Sequence, residues 1–227
     1  MRQFLRVAWI VFKKDLTVEV RSFEIVSTTL FFSVSCVLVF SIAFVRQGQP
    51  LTDAAAGILW VAVQFAGTLA LGRTFERERQ AETLRALMLA PAERPAVYVG
   101  KLLGIFVLLT ATEIVIVPAV ALLFGAPFFD HVLPMAILLI AGTVGFCAVG
   151  TLFAAMLARA RSRDILLPIL LYPMTIPVMI AGVRGTAALV DPEPQLGLAW
   201  FWINLLISWD VVFVSLSLWT FEPLMTE

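Results

Sequence analysis

The chain has 227 residues, of which 61% are hydrophobic and only 14% charged, and its formal net charge is zero. Soluble domains carry about 25% charged residues, so this composition, with a mean hydropathy of +0.97, places the chain among integral membrane proteins. The balanced charge gives no basis for nucleic-acid binding. The predicted fold is all-α: a polytopic membrane protein with six transmembrane helices, an N-terminal interfacial helix, and a coupling helix between spans two and three.

Residues 1–22 are basic and amphipathic. Phe4, Leu5, Ala8, Val11 and Phe12 fall on one side of a helix, and Arg2, Arg6 and Lys13 on another beside Trp9. That pattern suits a helix lying among lipid headgroups. A short apolar core with a small-residue cleavage site is lacking, so no removable signal peptide is expected. The first span is predicted at 25–45, ended by Arg46 and Pro50. The second, 54–72, carries Gly57, Gln64, Gly67 and Thr68, which favour close approach of helices.

Residues 73–101 are the one long polar run, with six of the sixteen Lys and Arg residues and four acids. From Thr74 to Ala90 there is neither Gly nor Pro, and strong helix formers dominate. Opposite charges sit three apart at Glu76/Arg79, Arg79/Glu82 and Glu82/Arg85, which puts each pair on one face. Leu84, Leu87 and Met88 add a short apolar stripe. Pro91 stops the helix, and a second helix after Pro95 enters the membrane at Lys101. A solvated loop accounts for the charges. It accounts less well for the stripe, which a docking helix would bury against a partner.

The third span, 102–124, is interrupted by Glu113 and Pro118, and a turn with Gly125, Pro127 and Asp130 follows. The fourth, 132–157, has Gly142, Gly145 and Gly150 for packing, and Arg159, Arg161 and Arg163 make a basic loop after it. The fifth, 165–183, contains Pro168, Pro173 and Pro177. Each removes a backbone donor, so this span is expected to be kinked or broken and to face protein. The sixth, 199–221, has Trp200, Trp202 and Trp219 near its ends and Asp210 near its middle. Fourteen of the sixteen basic residues lie before span one, between spans two and three, or after span four. The positive-inside rule therefore sets those segments, and both termini, in the cytoplasm.

Catalytic chemistry is hard to find. Cys36 and Cys147 lie in apolar runs without a CxxC, against thiol redox chemistry and covalent haem attachment. His131 is the single histidine, and an interfacial polar role fits it better than metal ligation, so no metal site is expected. No phosphate loop, HExxH or Ser/His/Asp set occurs, so energy from ATP would have to be imported. Glu113 and Asp210 are intramembrane polar candidates, since buried carboxylates are costly and tend to be functional. They serve either helix packing or a transport path, the latter as in a proton-coupled secondary carrier. A non-transporting assembly scaffold is the remaining alternative.

The run FERERQAETLRALMLAPAERPAVYVGK resembles the segment after the second span in ABC-2 type export permeases. The matching features are the acid-and-Arg run at 76–79, Thr83 and Leu84, the tip at 87–89, Pro91, and Gly100 with Lys101. Within that group the chain resembles the CcmB family, on residues 57–75, 87–101 and the proline-spaced 166–182. The resemblance implies the membrane subunit of an ABC complex of c-type cytochrome biogenesis in the bacterial inner membrane, with haem as substrate. It implies two copies of a CcmA-like ATPase carrying ATP and Mg, a CcmC-like haem-handling membrane protein and a small CcmD-like single-span protein. Six spans make a small pore lining, so a transporter also demands a second membrane subunit, either a self-dimer partner or a different protein. No cofactor is expected on this chain, and another exported substrate is the alternative within the group. The ATPase-coupling residues it implies are Glu76, Arg77, Glu78, Arg79, Glu82, Leu84, Leu87 and Met88.

Overall fold

A computed structural model describes residues 2–46, 49–80, 94–157 and 162–224. The described chain is helical apart from one two-residue antiparallel ladder. The helices are α1 (Arg2–Ser22), α2 (Glu24–Ala43), α3 (Ala55–Gln80), α4 (Arg94–Phe124), α5 (Val132–Met156), α6 (Arg163–Val190) and α7 (Leu196–Leu224). The ladder joins β1 (Val45–Arg46) to β2 (Gln49–Pro50), just after α2. Six helices, α2 to α7, are long and apolar enough to cross a membrane.

α3, α4 and α5 are the inner helices. α3 packs on α2, α4, α5 and α6, while α5 also receives α6 and α7. Close approach depends on glycine where a large ring must fit. The Trp60 indole of α3 lies against Gly142 of α5 and Gly182 of α6, and a Cβ at either would collide with it. Its Nε1–H donates to Thr186 Oγ1 at 2.9 Å, so the buried ring is satisfied at its polar edge. Trp60 belongs to one apolar cluster with Leu59, Phe124, Leu138 and Ile203. A second cluster, nearer the charged run, gathers Leu71, Tyr98, Ile105, Phe146 and Phe213.

Two helix ends have special backbone. Gly125 closes α4 with φ 63°, and Ala126 N–H donates back to Ala121 O at 3.0 Å, as in a Schellman cap. Phe23 has φ 51° and separates α1 from α2. That left-handed conformation strains a residue with a side chain.

Three features differ from the sequence expectation. α3 does not end at Gly72 but runs 26 residues to Gln80, about 39 Å at 1.5 Å per residue. The helix expected over 74–90 is therefore a direct continuation of α3 as far as 80, and 81–93 lie outside the described residues. α6 is not broken at its three prolines; it is one helix of 28 residues with all three inside. Each proline deletes a single backbone bond, and the buried Leu167, Leu171, Val178 and Ala181 hold the helix on its neighbours. Pro173 is exposed on this chain. Finally, α1 does not turn its whole apolar side to lipid. Ala8 and Val11 are buried against Gly100 of α4, while Leu5, Trp9 and Ile10 are exposed.

Candidate functional site

The charged residues at one end of the bundle are organised around α1. The face carrying Ala8 and Val11 continues, at helical spacing, into Asp15 and Glu19. Asp15 Oδ2 lies 2.7 Å from Lys101 Nζ of α4, and Asp15 Oδ1 lies 3.0 Å from Lys14. Lys101 is 2% exposed, and its ammonium also sits 5.9 Å from the centre of the Phe75 ring of α3. Gly104, one turn further along α4, lies beside Asp15. Glu19, also 2% exposed, reaches Arg77 of α3 at 3.0 Å. Lys101, expected to mark where the chain meets the lipid boundary, is thus a buried partner of α1.

Among the residues singled out for coupling, Arg77 is ion-paired inside the protein and Glu76 is half-buried. Glu78 and Arg79 lie in the last turn of α3. Glu82, Leu84, Leu87 and Met88 lie outside the described residues, as does the apolar stripe they include. Sequence reasoning missed Glu19 and Asp15. The available signal was two acids, four apart, continuing an apolar face where lipid contact would require hydrophobic side chains.

A second polar region lies at mid-bundle. The Glu113 carboxylate of α4 is buried and accepts a hydrogen bond from the Thr143 hydroxyl of α5. Asp210 of α7 faces Gly145 of α5, where a Cβ would stand 2.6 Å from Asp210 Oδ1. That buried oxygen has no hydrogen-bond partner among the described residues, and neither has the neighbouring Trp209 Nε1. Trp209 instead stacks on Phe213, with centroids 4.3 Å apart. Thr143 and Gly145 are two positions apart, so they point about 200° apart round α5. The two carboxyls therefore flank α5 from opposite sides, and no described contact joins them.

Between α2, α3 and α6 lies a cavity of about 380 Å³. Phe32, Phe65 and Tyr172 supply aromatic walls, with Phe65 edge-on to both of the others at 6.1 and 6.3 Å. Arg73 and Glu76 line its charged end. Pro168 also lines it, and Gln64 Nε2–H donates to Thr175 Oγ1 at 3.3 Å between α3 and α6.

Six apolar helices joined by buried polar contacts define a multi-pass α-helical membrane protein. Residues 6–223 match the family described as CcmB protein, and the chain belongs to that family. It is 30% identical over 157 residues to heme exporter protein B of Rhodobacter capsulatus, covering 67% of this chain and 72% of that protein. With heme exporter protein B of Pseudomonas aeruginosa the identity is 26% over 178 residues, 78% of each chain. With that of Escherichia coli K12 it is 32% over 96 residues, 42% of this chain and 44% of the relative.

Proposed function

We propose that this chain is the membrane subunit of an ATP-driven haem exporter that serves c-type cytochrome biogenesis. The carrying observation is that relatives named heme exporter protein B match most of its length. The chain has no phosphate loop of its own, so ATP is hydrolysed by a separate subunit, in two copies, docked from the cytoplasm. The docking element is the end of α3 and the segment after it, with Glu76, Arg77, Glu78, Arg79, Glu82, Leu84, Leu87 and Met88 as coupling residues. A CcmC-like haem-handling protein, a CcmD-like single-span protein and a second copy of this chain complete the assembly. The N- and C-termini face the cytoplasm of a bacterium, and the chain lies in its inner membrane.

The cavity between α2, α3 and α6 supports the choice of haem. Its aromatic walls suit a flat apolar ring, and Arg73 suits a carboxylate at the ring's edge. The test is purification of the full chain in mild detergent from its own cells. A CcmA-like ATPase is expected to come with it, and L87A or E78K should leave ATP hydrolysis intact while haem movement falls. Normal haem movement per ATP in both variants would count against the coupling role.

A further inference from the structure

α2 begins after a residue that cannot cap it. Phe23 has no acceptor in its side chain and makes no capping hydrogen bond. The first N–H groups of a helix have no partner within it. Here two of them are met from the preceding helix: Glu19 Oε1 accepts from Ile25 N–H at 2.8 Å and from Val26 N–H at 2.9 Å. The other oxygen, Oε2, accepts from Arg77 Nη1 at 3.0 Å. Arg77 also approaches Ser22 Oγ at 3.5 Å. One carboxylate thus joins three helices: α1, which carries it; α2, which it caps; and α3, which leads into 81–93.

A helix start is ordinarily capped by a Ser, Thr, Asp or Asn at its own boundary. Such a cap holds wherever neighbouring helices go. Glu19 is placed four residues before Phe23, and its second oxygen is held by a charge on another helix. The cap on α2 is therefore conditional on where α3 stands. A buried charge that loses its partner is strongly unfavourable, so α1 and the start of α2 follow α3 rather than part from it. Asp15 and Lys101 anchor α1 to α4, the helix that begins after 81–93. Both helices flanking that segment are thus ion-paired to α1.

We propose that Glu19 is a positioning residue that ties the first membrane helix to the end of α3, so that displacement of the segment after α3 moves the start of α2. The direction of force rests on the coupling role proposed above; the tie does not. Two measurements separate them.

The first is amide hydrogen exchange on the full chain in lipid nanodiscs. Arg77 makes no hydrogen bond to Ile25 or Val26, yet R77Q is expected to speed exchange at both amides about tenfold, while R77K holds them. Unchanged exchange in R77Q overturns the tie. Should R77Q fail to fold, E19Q keeps one acceptor oxygen for the two amides and loses the charge and the second acceptor that hold Arg77, and the same rise is expected there. The second is haem moved per ATP hydrolysed by the chain with its ATPase. E19Q and R77Q are each expected to lower it about tenfold, and the double variant no further, because both remove one interaction. A double variant about a hundredfold down, the product of two independent effects, overturns the relay. If the wild-type chain binds no ATPase, the coupling role falls, and the exchange result still decides the tie.

Discussion

The two polar regions of the molecule are built on opposite terms. At the α1 end, Asp15 and Glu19 each meet a cation, and Glu19 uses both oxygens. At mid-bundle, among the described residues, Glu113 has one hydroxyl for a partner and Asp210 Oδ1 has none. Where charges are matched, they fix helices in place across long sequence separations. Where an oxygen is left over, the fold is carrying a cost that packing must offset. The first region is thus a joint, and the second a place where the protein has kept a polar group that its own stability does not require.

Breaking the matched region should have the largest effect. D15A takes the 2.7 Å carboxylate partner from the buried Lys101 ammonium, and should destabilise the chain by about 3 kcal/mol. K101M removes the buried charge along with the pair and leaves Asp15 with Lys14, so its loss should be clearly smaller. Denaturant unfolding in detergent measures both; equal losses would mean that burial of the ammonium is not what makes the pair matter. T143V comes next. It leaves the buried Glu113 oxygen without its donor, for about 2 kcal/mol by the same assay. D210N should have the smallest effect, and with the opposite sign. An amide is cheaper to bury than a carboxylate, so stability should hold or rise by about 1 kcal/mol. A clear drop instead would show that Asp210 has a partner that the described residues do not contain.

The membrane helices were legible because hydropathy is a local property, and long apolar runs leave few alternatives. Their limits were less so. Gly72 and Arg73 suggested an end to the second span, but a polar residue need not stop a helix whose backbone bonds are intact. Pro168, Pro173 and Pro177 suggest a kink or a break, and packing on both flanks of α6 carries the helix through without a break. The Glu19–Arg77 pair was out of reach because its members are 58 residues apart and charge spacing predicts only neighbours on one helix. The mid-membrane acids were visible at once, as the only carboxylates in long apolar runs. Which neighbours each one met depended on how α5 is turned, and no local pattern sets that.

The unbroken course of α3 has a mechanical consequence. A helix with no joint between its membrane and charged parts behaves as a lever arm. With Trp60 as pivot, about 30 Å from the Gln80 end and about 8 Å from the Ala55 end, a swing of about 10° carries the Gln80 end about 5 Å and the Ala55 end about 1 Å. Trp60, wedged between Gly142 of α5 and Gly182 of α6 near the Ala55 end, would serve as that pivot, so a wide swing of the charged end becomes a short, forceful shift against α5 and α6.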